Sequence, residues 1–588
     1  MKKRILHILL PFLPVFFLFG ACARVGAPPG GPKDITPPRP LEYDPPDYSV
    51  FFDAPVIEIR FNEFIQLDQV NKKLIVSPPL TEKPEIRLKG KTMIIRLNNT
   101  LRDSTTYTLN FADAIKDFTE GNILENFTYV FSTGSYIDSL QVHGQLLEAA
   151  DLTPPEDALV MLYDNLSDSA PLLQKPLYVS KANQYGMFVL KNLKADTFRL
   201  YGLVDGNLNY LYDPGGDEVA FLDTVIILSP GPDYAPFPDS LITDSIYSLP
   251  GRNLLLRLFT EETAQQYLKS YDRPLPEFLF LIFNRPARGA VISLADTTVP
   301  SWFLAERSVT GDTLGLWITD TALVHSGRLR ITATYEAADS LGRPVTVTDT
   351  VSLRIKPKKG SKGKKQKTEE TPVLSVNTSL SHNRQELNSD LLLETSAPLA
   401  GRDTSLIRFV RMEDSLEIPQ PYTLEKDTFF LRRLHLRCPW QESTGYVLEF
   451  LPGAFTDIYG LTNDTVRLEF HTASLEDYGN LVLNLTSPGG EVVIQMWDDN
   501  EKKRIREASI HSDTTLRFGF LKPGKYILKA FADENGNGQW DPGILLEKLQ
   551  PEAVAYFNKI LNIKANWDME ESWDILFDFR MNTFRHKK

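Results

Sequence analysis

Apolar and polar side chains alternate along this chain with the two-residue period of a half-buried strand. Ile57, Ile59 and Phe61 alternate with Glu58, Arg60 and Asn62, which makes one face of an extended segment apolar and the other polar. Met93, Ile95 and Leu97 repeat the pattern. Tyr107, Leu109 and Phe111 follow, and Tyr129-Val130-Phe131-Ser132-Thr133-Gly134 closes the segment. Strands at this spacing over about a hundred residues predict a β-sandwich.

The closing part of that segment recurs. Tyr107-x-Leu109-x-Phe111, Ile115-x-Asp117, Gly121 and Phe131-Ser132-Thr133 correspond to Tyr446-x-Leu448-x-Phe450, Phe455-x-Asp457, Gly460 and Phe470-His471-Thr472. The spacing from glycine to threonine is the same in both. A looser third copy runs through Ile331, Ala333 and Tyr335, then Asp339-Ser340-Leu341-Gly342, then Thr350-Val351-Ser352-Leu353, and upstream of it Leu279 to Asn284 parallels Ile57 to Asn62. Each copy reads as an apolar strand, an Asp/Gly turn and a last strand that pairs back. A second repeat type lies between these. Phe188, Leu190, Leu193, Phe198, Asp205-x-Asn207-x-Asn209 and Tyr212-Asp213-Pro214-Gly215 return without a gap as Leu516, Phe518, Leu521, Tyr526, Asp533-x-Asn535-x-Asn537 and Trp540-Asp541-Pro542-Gly543.

Composition agrees with short strands and many turns. The chain has 588 residues, 40 of them proline and 34 glycine, with 34 Phe and 22 Tyr. At ~100–150 residues per domain this length predicts four to six domains. A net charge of −13 argues against nucleic-acid binding.

The N-terminus departs from the strand pattern. Lys2-Lys3-Arg4 precedes an apolar stretch from Ile5 to Phe19, broken by Pro11 and Pro14, which ends in Gly20-Ala21-Cys22. A basic start, a short apolar run and small residues before a cleavage point describe an export signal that is removed. The run is too short to span a bilayer comfortably. With its cysteine it resembles a bacterial lipoprotein signal, although Phe19 stands where leucine is usual. That resemblance implies a thioether-linked diacylglycerol on Cys22 and an acylated amino terminus. The alternative is an ordinary signal with an incidental cysteine. A lipidated Cys22 leaves Cys438 without a disulfide partner, and Cys438 reads as a small buried apolar residue rather than a reactive thiol.

Phe61-Asn62-Glu63, Leu101 through Tyr107-Thr108-Leu109, Ile115-x-Asp117-x-x-x-Gly121-Asn122 and Phe131-Ser132-Thr133-Gly134 resemble the bacterial Ig-like domain of S-layer and envelope proteins. Cys22 running into Gly30-Gly31-Pro32-Lys33-Asp34 and Thr36-Pro37-Pro38 resembles the start of Ig-like outer-membrane lipoproteins of Bacteroidota. The second repeat resembles the small prealbumin-like sandwich of carboxypeptidase regulatory domains. Pro523-Gly524-Lys525-Tyr526 fits its Gly-x-Tyr strand, and Lys194 to Phe198 lacks the glycine. The expected fold class is therefore all-β, with tandem Ig-like and prealbumin-like sandwiches in an elongated multi-domain chain. The plan is a signal peptide at 1–21, a Pro/Gly-rich tether at 22–40 and an Ig-like domain at 41–135. A prealbumin-like sandwich follows at 136–235, a second Ig-like domain at 240–355 and a Lys-rich linker at 356–371. A third Ig-like domain at 372–475, a second prealbumin-like sandwich at 476–568 and a tail at 569–588 complete it. The tail is left open between a strand, a short helix and a docking segment.

The candidate chemistry is sparse. Asp533, Asn535, Asn537 and Asp541, and in the first copy Asp205, Asn207, Asn209 and Asp213, place oxygen ligands at alternate positions as a calcium loop does. Position twelve, where an EF-hand needs its bidentate glutamate, holds Gly216 or Ile544, and Glu218 and Glu547 are the nearest replacements. The same residue types are those any tight turn requires. Both readings, calcium cofactor and structural turn, stand at this level. Lys358, Lys359, Lys362, Lys364, Lys365 and Lys367 form a cationic run that reads as a solvated linker or as a contact with an anionic surface. Metal-hydrolase pairs of histidine, a Gly-x-Ser-x-Gly elbow and a phosphate-cradling Gly-rich loop are missing from the sequence. Trp302, Trp317, Trp497, Trp567 and Trp573 offer rings for a sugar platform, but strand spacing assigns Trp317 and Trp567 to sandwich cores.

The sequence thus predicts a non-catalytic, lipid-anchored envelope protein, acting as a scaffold or interaction module that binds another envelope component. Its partners are the outer membrane, through the lipid, and an envelope protein, with no nucleic acid. Surface glycan binding or adhesion with calcium-stiffened domains is the alternative, and an accessory subunit of outer-membrane assembly or export machinery is a further one. The residues after Cys22, Ala23-Arg24-Val25-Gly26, lack an acidic surface-export cluster, which favours a periplasm-facing body over the cell surface.

Overall fold

The computed structural model describes residues 34–230, 254–262, 266–338, 344–355, 372–414 and 416–581. Two compact units divide the chain. One comprises Met1–Leu146, Glu156–Leu211 and Phe221–Leu256, and the other Leu147–Pro155, Tyr212–Ala220 and Arg257–Lys588. The architecture is all-β, built from tandem sandwiches. Among the described residues no helix is long and apolar enough to cross a membrane.

In the first sandwich the predicted alternation sets the layers. Val56–Phe61 pairs with Thr92–Arg96 and Pro40–Asp44, and Thr106–Asn110 pairs with Thr128–Ser132. Ile57, Ile59, Phe61, Met93, Ile95, Leu109 and Phe131 are fully buried between these sheets. The recurring Asp/Gly turn is also as expected. Asp117 Oδ1 accepts the N–H groups of Glu120 and Gly121 at 2.6 and 2.9 Å, and Gly121 has φ 80°. In the fourth sandwich Asp457 Oδ1 accepts from Tyr459 and Leu461 at 2.8 Å each, and Gly460 has φ 85°. The repeated tyrosine has one role in both. Tyr107 and Tyr446 accept, through their hydroxyls, the N–H of the residue five positions upstream, Arg102 at 2.8 Å and Gln441 at 3.1 Å. The corresponding turn of the third sandwich, 339–342, lies outside the described residues.

The second repeat folds in one strand order twice. Met187–Leu193, Leu140–Glu148 and Leu254–Leu258 form one sheet, as do Thr514–Leu521, Gly479–Thr486 and Asp568–Asp574. The facing sheets run Tyr178–Lys181, Leu159–Tyr163, Thr197–Val204 and Arg504–Ile510, Val492–Asp498, Gly524–Ala532. Two boundaries differ from expectation for one reason. Leu254–Leu258, inside the stretch assigned to the second Ig-like domain, is the third strand of the preceding sandwich. A Cβ on Gly144 would stand 2.2 Å from the Leu254 carbonyl oxygen, so the two backbones touch and only glycine fits. Likewise the tail is not separate. Asp568–Asp574 lies parallel to Gly479–Thr486, the helix Ile575–Met581 follows, and Trp573 and Ile575 are buried in that sandwich's core. Both last strands pair with a partner distant in sequence, which local periodicity does not reveal.

The third sandwich pairs Phe278–Phe283 with Leu268–Leu275 and Thr313–Ile318, against Arg328–Ala338 and Pro344–Arg354. The fourth packs the five-stranded sheet around Gly445–Phe450 on the sheet around Arg433–Arg437. Arg432 lies over the buried Trp317 ring at 5.4 Å and the Tyr459 hydroxyl donates to the Ile318 carbonyl at 2.9 Å, which joins the third sandwich to the fourth. The Tyr478 hydroxyl donates to Glu386 at 2.6 Å and Lys522 pairs with Glu386 at 2.7 Å, which joins the fourth to the fifth.

Candidate functional site: the paired acidic loops

Each acidic loop leaves the end of a central strand, Thr197–Val204 or Gly524–Ala532. In the second copy Asp533 is only 2% exposed. Its Oδ1 accepts the N–H groups of Gly536 and Asn537 at 2.8 and 3.1 Å, and its Oδ2 that of Gly538 at 2.7 Å. Asn535 Oδ1 accepts the Asn537 N–H at 3.0 Å, and Asn537 Oδ1 the Gln539 N–H at 2.6 Å. Side chains at alternate positions thus each close a turn on backbone ahead of them. The first copy repeats most of these bonds, with the i+2 N–H in place of the i+3 one on Oδ1. Asp205 Oδ1 accepts from Asn207 and Asn209 at 3.3 Å and its Oδ2 from Tyr210 at 2.7 Å. Asn207 and Asn209 accept from Asn209 and Leu211 at 3.0 and 2.6 Å. The copies differ at the left-handed positions. Gly536 and Gly538 occupy them in the second loop (φ 72° and 74°), Leu208 and Tyr210 in the first (φ 60° and 62°). A side chain there costs about 1–2 kcal/mol.

The structure brings Asn535, Asn537 and Asp541 together, since both amides donate to Asp541 Oδ2 at 2.6 and 2.7 Å. The carboxylates that complete the loops are ones the sequence reading missed. Glu552, buried, accepts the N–H groups of Glu534 and Asp541 at 2.8 and 3.0 Å. Burial pushes its carboxyl above the usual glutamate range against the pull of those two N–H groups, and Asp541 and Asp533 add to the rise. In the first copy the buried Asp217 accepts the Asp213 N–H at 3.0 Å. Glu547 is exposed and Glu218 lies in a strand, so neither takes the closing position. Chain distance could not separate Glu552 from Glu547. Among the described residues no group of three or more His, Cys, Asp or Glu is placed to hold a metal ion. Backbone N–H groups occupy both Asp533 oxygens, and amide nitrogens rather than oxygens face Asp541. The donor set is that of a closed turn.

Beside the second loop lies a joint. Trp540 donates through Nε1 to the Glu552 carbonyl at 2.9 Å and packs on Val493, Ile527, Phe531, Val554 and Tyr556, a cluster that also takes in Leu152. A Cβ on Gly543 would meet Leu549 O at 2.5 Å and the Phe259 ring at 2.7 Å, and Leu545 N–H donates to Glu261 at 2.6 Å. The fifth sandwich therefore packs directly on Leu152, Phe259 and Glu261, segments far from it in sequence.

The remaining candidates fall out differently. Cys22 and all six lysines from Lys358 to Lys367 lie outside the described residues. Trp302, Trp317 and Trp573 are buried, but Trp567 is 60% exposed. It does not fill a core as expected, because it sits in the turn before the last strand, with its carbonyl accepting the Asn480 N–H at 3.0 Å and Lys564 over its ring. His435 is held by Asp390 at 3.2 Å and Asp427 at 2.9 Å, one on each ring nitrogen, which leaves neither nitrogen free to act as a base. Burial pushes the Cys438 thiol up to about 11. At pH 8 its thiolate fraction is about two orders of magnitude below that of an ordinary cysteine. Iodoacetamide is therefore expected to alkylate Cys438 about a hundredfold more slowly than a free thiol, read by intact mass over time; alkylation at the free-thiol rate contradicts the burial argument.

Comparison with known proteins places the first of these sandwiches. Residues 34–133 match the bacterial Ig-like domain family. No curated protein sequence matches the chain. Among solved structures, domains 1-6 of the surface layer protein SbsC are similar at 10% identity, over 90% of this chain and 67% of that one, with a TM-score of 0.15. The Bacteroides ovatus mixed-linkage glucan utilization locus protein SGBP-B, in complex with a mixed-linkage heptasaccharide, is similar at 11% identity over 82% and 99%, with a TM-score of 0.17. The BSP domain of a biofilm associated protein is similar at 8% identity over 88% and 96%, with a TM-score of 0.14.

Proposed function

We propose that this chain is a lipid-anchored, non-catalytic protein of the outer membrane, facing the periplasm, which holds another envelope component near the bilayer. What carries the reading is how the polar groups are used. Asp117, Asp457, Asp205, Asp533, Glu552 and His435 are each engaged in closing turns or pairing side chains. Groups so committed hold domains and joints in place; catalysis needs a base or nucleophile left free to meet a substrate. The Cys22 pattern supplies the address, and the bacterial Ig-like match of residues 34–133 agrees with an envelope setting.

The Cys22→Ser variant tests the anchor. It is expected to move from the membrane pellet to the soluble fraction and to lose incorporation of labelled palmitate. A variant that still pellets with wild-type yield overturns the lipid reading. Protection from proteinase K on intact cells is expected for a periplasm-facing body. Crosslinking in intact envelopes followed by pull-down names the component held; recovery of the chain alone under crosslinking that captures other envelope complexes contradicts the scaffold reading.

A further inference from the structure

The first sandwich has two distinct ends. Val56–Phe61 runs between them. At the Phe61 end the Asn62 N–H donates to the Arg39 carbonyl at 3.0 Å and the Phe61 N–H to the Lys91 carbonyl at 2.9 Å. At the opposite end, before Val56, Phe51 and Phe52 donate to Gly134 and Ser132 at 2.8 and 2.9 Å. The chain arrives at the first end and leaves, through Gly134, at the second. Its arrival is fixed. Asn122 Nδ2 donates to both the Asp34 and the Thr36 carbonyls, at 3.0 and 3.3 Å, and Thr36 closes a turn on Asp34.

That arriving end is apolar where water would favour polar groups. Ile35, held between the two carbonyls that Asn122 grips, is 80% exposed. Phe118, whose N–H donates to the Phe64 carbonyl at 2.9 Å, is 68% exposed and Phe64 is 57% exposed. Ile123, paired with Lys116 on the same small sheet of Ile65–Leu67, Ile115–Asp117 and Ile123–Leu124, is 38% exposed. Lys91 lies over the Phe64 ring at 5.6 Å. Aromatic rings beside a lysine are the side chains that settle at the boundary of headgroups and acyl chains.

We infer that this rim of the first sandwich, formed by Ile35, Phe64, Phe118 and Ile123, is a second membrane contact that seats the domain on the bilayer carrying its own lipid. The inference rests on lipidation at Cys22. Twelve residue steps separate Cys22 from Asp34, so the covalent chain spans at most about 40 Å. The arriving end is the part of the domain the anchor holds nearest the lipid. The acyl chains on Cys22 hold the chain at the membrane, and the short tether makes the rim's encounter with the same bilayer intramolecular, so even a modest apolar contact is populated. Asp34 directly precedes Ile35 and Glu120 follows Phe118 by two residues, and these carboxylates favour contact with the acyl boundary over contact with phosphates.

The test separates this contact from the anchor. Mature chain in the Cys438→Ser background is coupled through the Cys22 thiol to a maleimide lipid in phosphatidylethanolamine–phosphatidylglycerol vesicles. The coupling supplies the tether whether or not cells lipidate Cys22, which the intact mass of membrane-extracted protein reads independently. The photocrosslinker p-benzoylphenylalanine replaces either Phe118 or Phe51, the latter 69% exposed at the far end of the same sandwich. Lipid adducts are expected at 118 and not at 51. Adding Ile35→Ser and Phe64→Ser is expected to lower the adduct at 118 by roughly tenfold or more, the scale of losing one large apolar contact. Equal lipid adducts at both positions, no adduct at 118, or adducts to protein alone at 118 would each overturn the inference.

Discussion

Arg273→Ala is expected to lower the melting transition of the third sandwich by at least about 12 °C, the largest effect of any single substitution outside the apolar cores. Arg273 is completely buried, and its partners are carbonyls. Nε and Nη2 donate to Pro276 O at 3.2 and 2.6 Å, Nη1 to Ser326 O at 2.8 Å, and Nη2 also to Leu323 O and Val324 O at 3.0 and 3.1 Å. The last three acceptors belong to the end of the short helix Thr321–Val324 and the residues after it, where helix-end carbonyls run short of partners, although Leu323 O also accepts the Ser326 N–H at 3.2 Å. The register shift between Asp272 and Leu275 turns the arginine inward out of the strand Leu268–Leu275. Removing the side chain takes the arginine's donors from the Pro276, Val324 and Ser326 carbonyls and leaves a cavity where a fully buried side chain stood, a cost of about 3–5 kcal/mol. At ~4–8 °C per kcal/mol for a domain of this size, that gives the shift stated. Calorimetry of the full chain measures it, with hydrogen exchange over the described residues of 266–355 assigning the transition. Arg330→Ala, which breaks an exposed pair with Asp296, is the reference and is expected to cost about 1 kcal/mol or less. Arg273→Met separates packing from hydrogen bonding: it restores volume without donors and is expected to recover little. If Arg273→Ala shifts the transition no further than Arg330→Ala, the carbonyl cage does not hold this sandwich together.

Arg273 also marks where the sequence stops being informative. Ile57, Ile59 and Phe61 announce their strand because a half-buried sheet demands period two, and the structure buries those three while leaving Glu58, Arg60 and Asn62 outside the core. The Asp117 and Asp457 turns were legible because a carboxylate closing on the backbone N–H groups just ahead of it, around a left-handed glycine, needs only local chain. The matched offset of the two acidic loops carried the second repeat, and even the hydrogen bonds between neighbours recur. What could not be read were pairings between distant segments. Leu254–Leu258 and Asp568–Asp574 are strands because Leu140–Glu148 and Gly479–Thr486 have open edges for them, and no local pattern records an open edge. Arg273 looks like any polar strand residue until a bulge and a helix end, some fifty residues apart in sequence, surround it. Glu552 and Asp217 closed the loops instead of Glu547 and Glu218 because a loop selects its partner in space. Trp567 shows the converse error: strand spacing suggested a core, and its place in the turn before the last strand put it in water.

Asp533→Ala is expected to cost the fifth sandwich about 3 kcal/mol or more, and here the choice of substitution decides the chemistry of the loop. The alanine leaves the N–H groups of Gly536, Asn537 and Gly538 without their acceptor, at about 1–3 kcal/mol for each that stays dry. Asp533→Asn keeps an oxygen for the two shorter-range N–H groups and loses only the third. It also removes a negative charge beside Asp541 and Glu552, where like charges already disfavour ionisation. A turn held by its own backbone therefore predicts a severe alanine, an asparagine within about 1 kcal/mol of wild type, and one melting temperature for the full chain in chelator and in calcium. A cation site predicts another pattern. The wild type would gain stability with calcium by mass action, the asparagine variant would lose that gain, and chelator would bring the two together. Thermal melts of wild type and both variants, each with calcium and with chelator, separate these patterns. Coincident wild-type curves with a damaged alanine support the turn, whereas a calcium-dependent rise abolished by asparagine replaces it with a metal-stiffened joint between Trp540 and the segment it packs against.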